Sequence, residues 1–196
     1  MRCANYLVKG LALRYAQAMS FSSPRRWLNL STSSSAELAP KPSFTADGEA
    51  QFLRGLSFAN GQGVAQDYVR AAQCYTEAAE QRHSQAQLNL AMLYEQGQGV
   101  TRDEARALTW LTKAASLGNA AAQYRLGVQQ HLACRTGRPG QAVEGRIEAL
   151  KWVRLSAAQR HRGAESACEF VALDMTREQV AESARRAAAF MPNPSV

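Results

Sequence analysis

The chain of 196 residues repeats itself. Gly61-Gln62-Gly63-Val64 returns as Gly97-Gln98-Gly99-Val100, 36 residues on, and the same step carries Asp67 to Asp103, Ala78-Ala79 to Ala114-Ala115 and Ala50-Gln51 to Ala86-Gln87. A second step of 36 reaches Ala122-Gln123 and sets Gly55, Ala91 and Gly127 in one register. The step then becomes 42: Trp110 maps onto Trp152, Ala107 onto Ala149 and Ala122 onto Ala164, so that six extra residues are expected in a loop near Cys134 to Gly145. A period of this length marks small supersecondary units, none able to bury its apolar face alone, stacked so that neighbours build one continuous core.

Each unit reads as two helices. Ala86, Leu90, Ala91 and Tyr94 share one helical face,. Gly97 stands where a left-handed residue closes a helix, and Gly99 permits a second tight turn,. Thr101 with Glu104 is expected to form a capping box for the following helix, and Thr176 with Gln179 another,. In the second helices, Ala71, Cys74, Tyr75, Ala78 and Ala79 set a spacing that Ala107, Trp110, Leu111, Ala114 and Ala115 repeat, as do Ala149, Trp152, Val153, Ser156 and Ala157. One large residue among small ones lets paired helices approach closely, nearest at positions 55, 91 and 127,. Composition agrees. Alanine dominates the apolar residues, aromatics are 8%, and β-branched residues are sparse, which speaks against a β-sandwich or a parallel sheet,.

Ala86-x-x-x-Leu90-Ala91-x-x-Tyr94-x-x-Gly97-x-Gly99-Val100-x-x-Asp103, followed by Ala107-x-x-Trp110-x-x-x-Ala114-Ala115, resembles the Sel-one-like repeat, a relative of the tetratricopeptide repeat. The resemblance covers about residues 48–163 as three units, with a partial fourth from Ala164 to Leu173. Arg54 stands where the first unit would have Leu, the third unit has Thr136-Gly137-Arg138-Pro139-Gly140 in place of the Gly-x-Gly-Val turn, and Glu169 takes the small-residue register in the fourth. The resemblance implies an all-α fold, a right-handed α/α superhelix of three helix hairpins, a partial fourth and a C-terminal capping helix. The expected organisation is a tail at 1–45, repeats at 46–174, and a capping helix with a short tail at 175–196.

The tail has its own chemistry. Arg2, Lys9, Arg14, Arg25, Arg26 and Lys41 face a single acid, Glu37, and a serine-rich run spans residues 31–35, whereas the remaining 17 basic and 15 acidic residues nearly balance. Three readings fit: a disordered tail (or an over-extended start, with Met19 the initiator), an organellar transit peptide, or a secretory signal interrupted by Lys9 and Arg14,. The expected location is cytoplasmic, with mitochondrial import through the tail as the alternative. The balanced body lacks the basic stripe of a nucleic-acid binder. No stretch approaches the roughly 18 apolar residues of a membrane span. Cys3, Cys74, Cys134 and Cys168 are too few and too irregular for a disulfide scaffold,.

No nucleophile elbow, phosphate loop, His-Glu-x-x-His or dinucleotide fingerprint is found,. The expectation is therefore a non-enzyme without cofactor or metal. His83 and His161 share a register with Asn119 at the turns between units, which reads as structural. His131, Cys134, His161 and Cys168 have the residue types of a tetrahedral zinc site, but Cys168 lies in the apolar register of Leu90 and Leu126,. By analogy with the tetratricopeptide arrangement, the first helices line a concave face with Phe52, Leu88, Tyr124, Leu56, Met92, Val128, Asn60, Gln96 and Leu132, with Glu95 and Gln87 at its edge,. This row is read either as a contact surface or as packing between neighbouring first helices. The expected function is a monomeric scaffold or adaptor that binds a protein or peptide there. The alternatives are an organelle-imported assembly factor and a β-lactam-binding hydrolase, the latter implied by some relatives although Ser-x-x-Lys is missing.

Overall fold

In the computed structural model, residues 48–136 and 139–192 are described; the expected tail at 1–45 and the last residues, 193–196, lie outside them. The described residues form eight helices and no strand: α1 Gly48–Asn60, α2 Tyr68–Glu80, α3 Ser84–Gln96, α4 Glu104–Ser116, α5 Ala120–Thr136, α6 Pro139–Ala158, α7 Ala164–Ala172 and α8 Arg177–Ala188. Pairs α1–α2, α3–α4 and α5–α6 are the three units, and each second helix also packs against the first helix of the next unit.

The turn inside each of the first two units follows from its glycines and aspartate. Gly61, Gly63, Gly97 and Gly99 all take positive φ, between 68° and 72°, a region where a side chain is strained by about 1–2 kcal/mol. The chain then becomes extended at Asp67 and Asp103, each with φ −149° and ψ 100°, and their carboxylates accept from backbone N–H groups of the next helix: Val69 (2.9 Å) and Arg70 (3.1 Å), and Arg106 (2.9 Å). The expected Thr101–Glu104 capping box is not formed. Asp103 caps α4 instead, since an ionised acceptor at the positive end of a helix is the stronger cap, and Glu104 pairs with Arg102 at 2.6 Å. The Thr176–Gln179 box does form, at 3.4 Å and 3.1 Å.

Contact between paired helices is closest where the side chain is smallest. A β-carbon on Gly127 would lie 2.5 Å from Val153 Cγ2 and 2.7 Å from the Ala149 carbonyl oxygen, and one on Gly55 would lie 2.7 Å from the Tyr75 ring. Around these contacts the core is built from Ala71, Ala78, Ala86, Leu90, Ala114, Ala122, Leu126 and their neighbours. Each fully buried Leu contributes about 1.5–3 kcal/mol. Burial also pushes the phenol of Tyr75 up to about 12, against a weaker opposite pull from its hydrogen bond with Asn89.

The third unit corrects one expectation. Its six extra residues do not make a longer loop. α5 and α6 run to 17 and 20 residues where the other unit helices have 13, and α6 begins at Pro139. Proline suits a first helical position because its missing N–H would have no partner there. Beyond α7, α8 has α6 as its main neighbour. Arg186 holds it there, pairing with Glu144 and with Glu148 at 2.8 Å on α6, while Glu182 on α8 itself braces the guanidinium at 2.8 Å. Burial works to raise the Glu148 carboxyl, but hydrogen bonds from Lys151 and Arg186 outweigh it and hold the group below its ordinary value.

The two equivalent glycines Gly63 and Gly99 differ in surroundings. A β-carbon on Gly63 would meet nothing within 4 Å, whereas on Gly99 it would lie 2.1 Å from the Tyr68 carbonyl oxygen, in the preceding unit. Gly63→Ala is expected to destabilise by about 1–2 kcal/mol, the left-handed strain alone. Gly99→Ala adds a backbone clash and should lose clearly more. Urea denaturation of both variants checks this, and equal losses would contradict it.

Candidate partner-binding face

The first helices α1, α3 and α5 place the row expected from the sequence, and the structure divides it. Leu88 and Val128 are only 3% and 5% exposed and serve packing. Phe52, Leu56, Met92 and Tyr124 are half-buried; Asn60 and Gln96 are exposed, as is Leu132 at 48%.

Two of the half-buried aromatics have packing partners at the unit boundaries. Phe52 stacks on His83 with ring centres 4.6 Å apart, and Tyr124 lies 5.2 Å from His161. His83 in turn caps α3: its Nδ1 accepts from the Ala86 N–H at 3.1 Å, while Nε2 meets Glu49 Oε2 at 2.7 Å. Asn119 does the same for α5, its side-chain oxygen accepting from Ala122 N–H at 3.0 Å. The turn histidine and asparagine are thus helix caps, as their register suggested.

Gln87 is not at the edge of this face. It is 3% exposed, and its Nε2 donates to the Ala79 carbonyl at 2.9 Å, tying α3 to α2. Gln123 repeats the bond to Ala115, at 3.1 Å. A long polar side chain reads as surface from sequence; here it bonds a carbonyl at a helix end that already accepts the Arg82 N–H at 3.0 Å and has a second lone pair to offer,.

Between α3, α4 and α5 lies a cavity of about 240 Å³. Its floor is Ala91, Met92, Ala107 and Leu111, and its rim is Gln129 with the ion pairs Arg125–Glu95 and Arg102–Glu104. Glu95 was expected at the edge of the face of first helices, and here it stands on the rim of this cavity. Arg125, Arg102 and Gln129 were not expected, because the Arg125–Glu95 pair joins residues 30 apart with no periodic signal. The volume is below the roughly 300–1,000 Å³ of small-molecule sites and fits one or two side chains. Apolar floor and charged rim are the anatomy of a protein contact.

The four residues considered for zinc do not come together. His161 lies against Tyr124, Cys168 is half-buried on α7, and His131 is 1% exposed with the Phe170 ring at 5.2 Å. Among the described residues no three His, Cys, Asp or Glu side chains are grouped to hold a metal ion. Also among the described residues, no helix is long and apolar enough to cross a membrane.

Stacked antiparallel helix pairs, joined by left-handed turns and presenting a face of first helices, define an α-solenoid repeat protein. The Sel1 repeat family model matches residues 48–83, 84–119 and 120–161, and the chain belongs to that family. It is similar to the crystal structure of a Sel1 repeat protein from Oxalobacter formigenes, at 29% identity and TM-score 0.57, over 69% of this chain and 52% of that one. It is also similar to a protective antigen present in uropathogenic Escherichia coli strains and displaying an SLR fold, at 30% identity and TM-score 0.56, over 74% of this chain and 31% of that one. The chain thus spans about half the length of the first of these proteins and about a third of the second. Comparison with curated proteins gives no match. Sel1 repeat proteins are in general protein-interaction scaffolds and typically not enzymes.

Burial of His131 sets a pH dependence. Neither ring nitrogen has a hydrogen-bond partner. Burial holds its pKa below the ordinary value; Asp174 pulls it up, while Arg135 and Arg146 push it further down. The unfolded chain therefore takes up this proton first, near pH 6.5, and stability falls as pH drops below that point until the folded-state value is passed. His161, also lowered by burial, acts in the same sense. Thermal melts at pH 7.5 and pH 5.5 should show a loss in the wild type that shrinks in His131→Leu; an unchanged pH difference would contradict it.

Proposed function

We propose that the chain is a non-enzymatic, monomeric adaptor that holds a peptide or helix of a partner protein on the face of α1, α3 and α5. The supporting observation is the cavity beside Met92, apolar below and rimmed by Glu95, Arg125, Arg102 and Glu104. An apolar side chain of the partner fills it, and polar groups beside that anchor meet the rim charges. Leu56, Asn60 and Gln96 extend the contact along the face, while Phe52 and Tyr124 contribute their exposed edges, and Leu88 and Val128 support the row from beneath. We take its compartment to be the cytoplasm, with mitochondrial import through residues 1–45 as the alternative; an intact or a shortened start, read by mass spectrometry from cells, separates the two.

A photo-crosslinking amino acid at Met92 or at Gln129, introduced in the native cell, should give the same discrete adducts, and one at the exposed Glu77 of α2 should give none. Adducts shared equally by all three positions, or absent from Met92 and Gln129, would remove the face from consideration.

A further inference from the structure

The units build one cleft twice, and the chain itself occupies one copy. The first copy lies between the end of α2, the start of α3 and the side of α4. Ala79, Arg82, Gln87, Trp110, Lys113 and Leu117 line its volume of about 380 Å³. The repeat maps these residues onto Ala115, Gly118, Gln123, Trp152, Leu155 and Gln159.

In that second copy the segment after α8 is seated. The Phe190 ring meets Trp152 edge-on, with centres 5.4 Å apart and planes at 73°. Phe190 and Leu155 pack against the same buried cluster, to which Ala115 and Trp152 belong. Pro192 lies on Gly118, where a β-carbon would be 3.4 Å from the proline ring. Beneath them, Gln123 Oε1 accepts from Gln159 Nε2 at 2.9 Å. An aromatic residue and a second residue two positions later, in a segment leaving a helix, are therefore what this cleft accommodates.

The first copy keeps the tryptophan and the glutamine but changes three neighbours. Lys113 replaces Leu155, with its ammonium 4.0 Å from the Trp110 ring centre. Arg82 replaces Gly118, the seat of Pro192. Arg82 is held at φ 64° and has no ion pair among the described residues. Leu117 replaces Gln159, so Gln87 Oε1 lacks the donor that Gln123 has. The bond from Gln87 Nε2 to Ala79 fixes which end of the amide is the oxygen. Glu80 also stands on the rim, leaving two cations against one acid.

We propose that the Trp110 cleft is a second peptide-binding site, taking an extended segment of a partner protein in which an aromatic side chain is followed two residues later by an acidic one. The aromatic ring packs edge-on to Trp110 as Phe190 does to Trp152. The carboxylate takes the proline's place and meets the Arg82 guanidinium, with Lys113 nearby.

The chain's own segment provides the probe. A dye-labelled peptide of residues Ala187–Pro192 carrying Pro192→Glu is titrated against the full chain by fluorescence polarisation, beside the same peptide carrying Pro192→Gln. NMR of the indole N–H groups reports which tryptophan is met. The Glu peptide is expected to bind about fivefold more tightly than the Gln peptide, the worth of a partly exposed ion pair, and to shift Trp110. Adding Phe190→Ala to the Glu peptide abolishes binding. In the protein, Arg82→Gln levels the two peptides. No binding of either peptide, a preference that survives Arg82→Gln, or a shift confined to Trp152 overturns the assignment.

Discussion

At Gly127 the backbone of α5 comes so near to α6 that the Ala149 carbonyl and Val153 occupy the space a side chain would need. Gly55 meets the Tyr75 ring in the same way in the first unit, and Ala91 holds the register in the second. This close approach explains why alanine can build the core at all. An alanine brings one methyl group, so it gains dispersion only where the facing helix is close enough to touch it on all sides. Spread the helices to the distance that large side chains require, and Ala71, Ala78, Ala114, Ala122 and Ala149 would line voids. The stacking of units, and with it every groove between them, rests on this spacing.

The second constraint is the backbone between helices. Gly99 fits against the carbonyl of Tyr68 without room for a side chain, which couples the turn of the second unit to the first residue of α2. Gln87 and Gln123 add a polar tie across the same boundaries, each donating to a carbonyl of the preceding unit. Each of these carbonyls also accepts a backbone N–H of its own turn, from Arg82 and Gly118, and the glutamine takes its second lone pair while its methylenes pack. The boundaries are thus held by alanine packing, a glycine contact and an amide hydrogen bond.

What the sequence made legible follows from these constraints. The steps of 36, 36 and 42 residues give unit boundaries that agree with the matched repeats, because left-handed glycines and small-residue registers are local requirements visible one residue at a time. The fate of the insertion was not legible, since six extra residues lengthen a loop or two helices with the same spacing at either end. Nor was the seating of α8. Its contact with α6 runs through Arg186, Glu144 and Glu148, residues about 40 apart whose attraction no periodicity encodes. At the candidate face, the register identified which side chains share a surface but not which of them the next unit covers. Leu88 and Val128 went inside, and Arg125 reached across to make a rim.

Fixed spacing frees other positions to vary in chemistry at constant shape. The register of Arg82, Gly118 and Arg160 is left-handed in all three units, with φ of 64°, 88° and 56°. Glycine is the unstrained choice there, and the middle unit uses it, beneath Pro192. An arginine in the same conformation carries strain of about 1–2 kcal/mol, and the fold gains no helix cap or ion pair among the described residues in return at Arg82. Arg160 carries the same strain in the third unit, so what sets Arg82 apart is its place on the rim of an unfilled cleft. The comparison between copies of one unit therefore separates residues that make the shape from residues that use it.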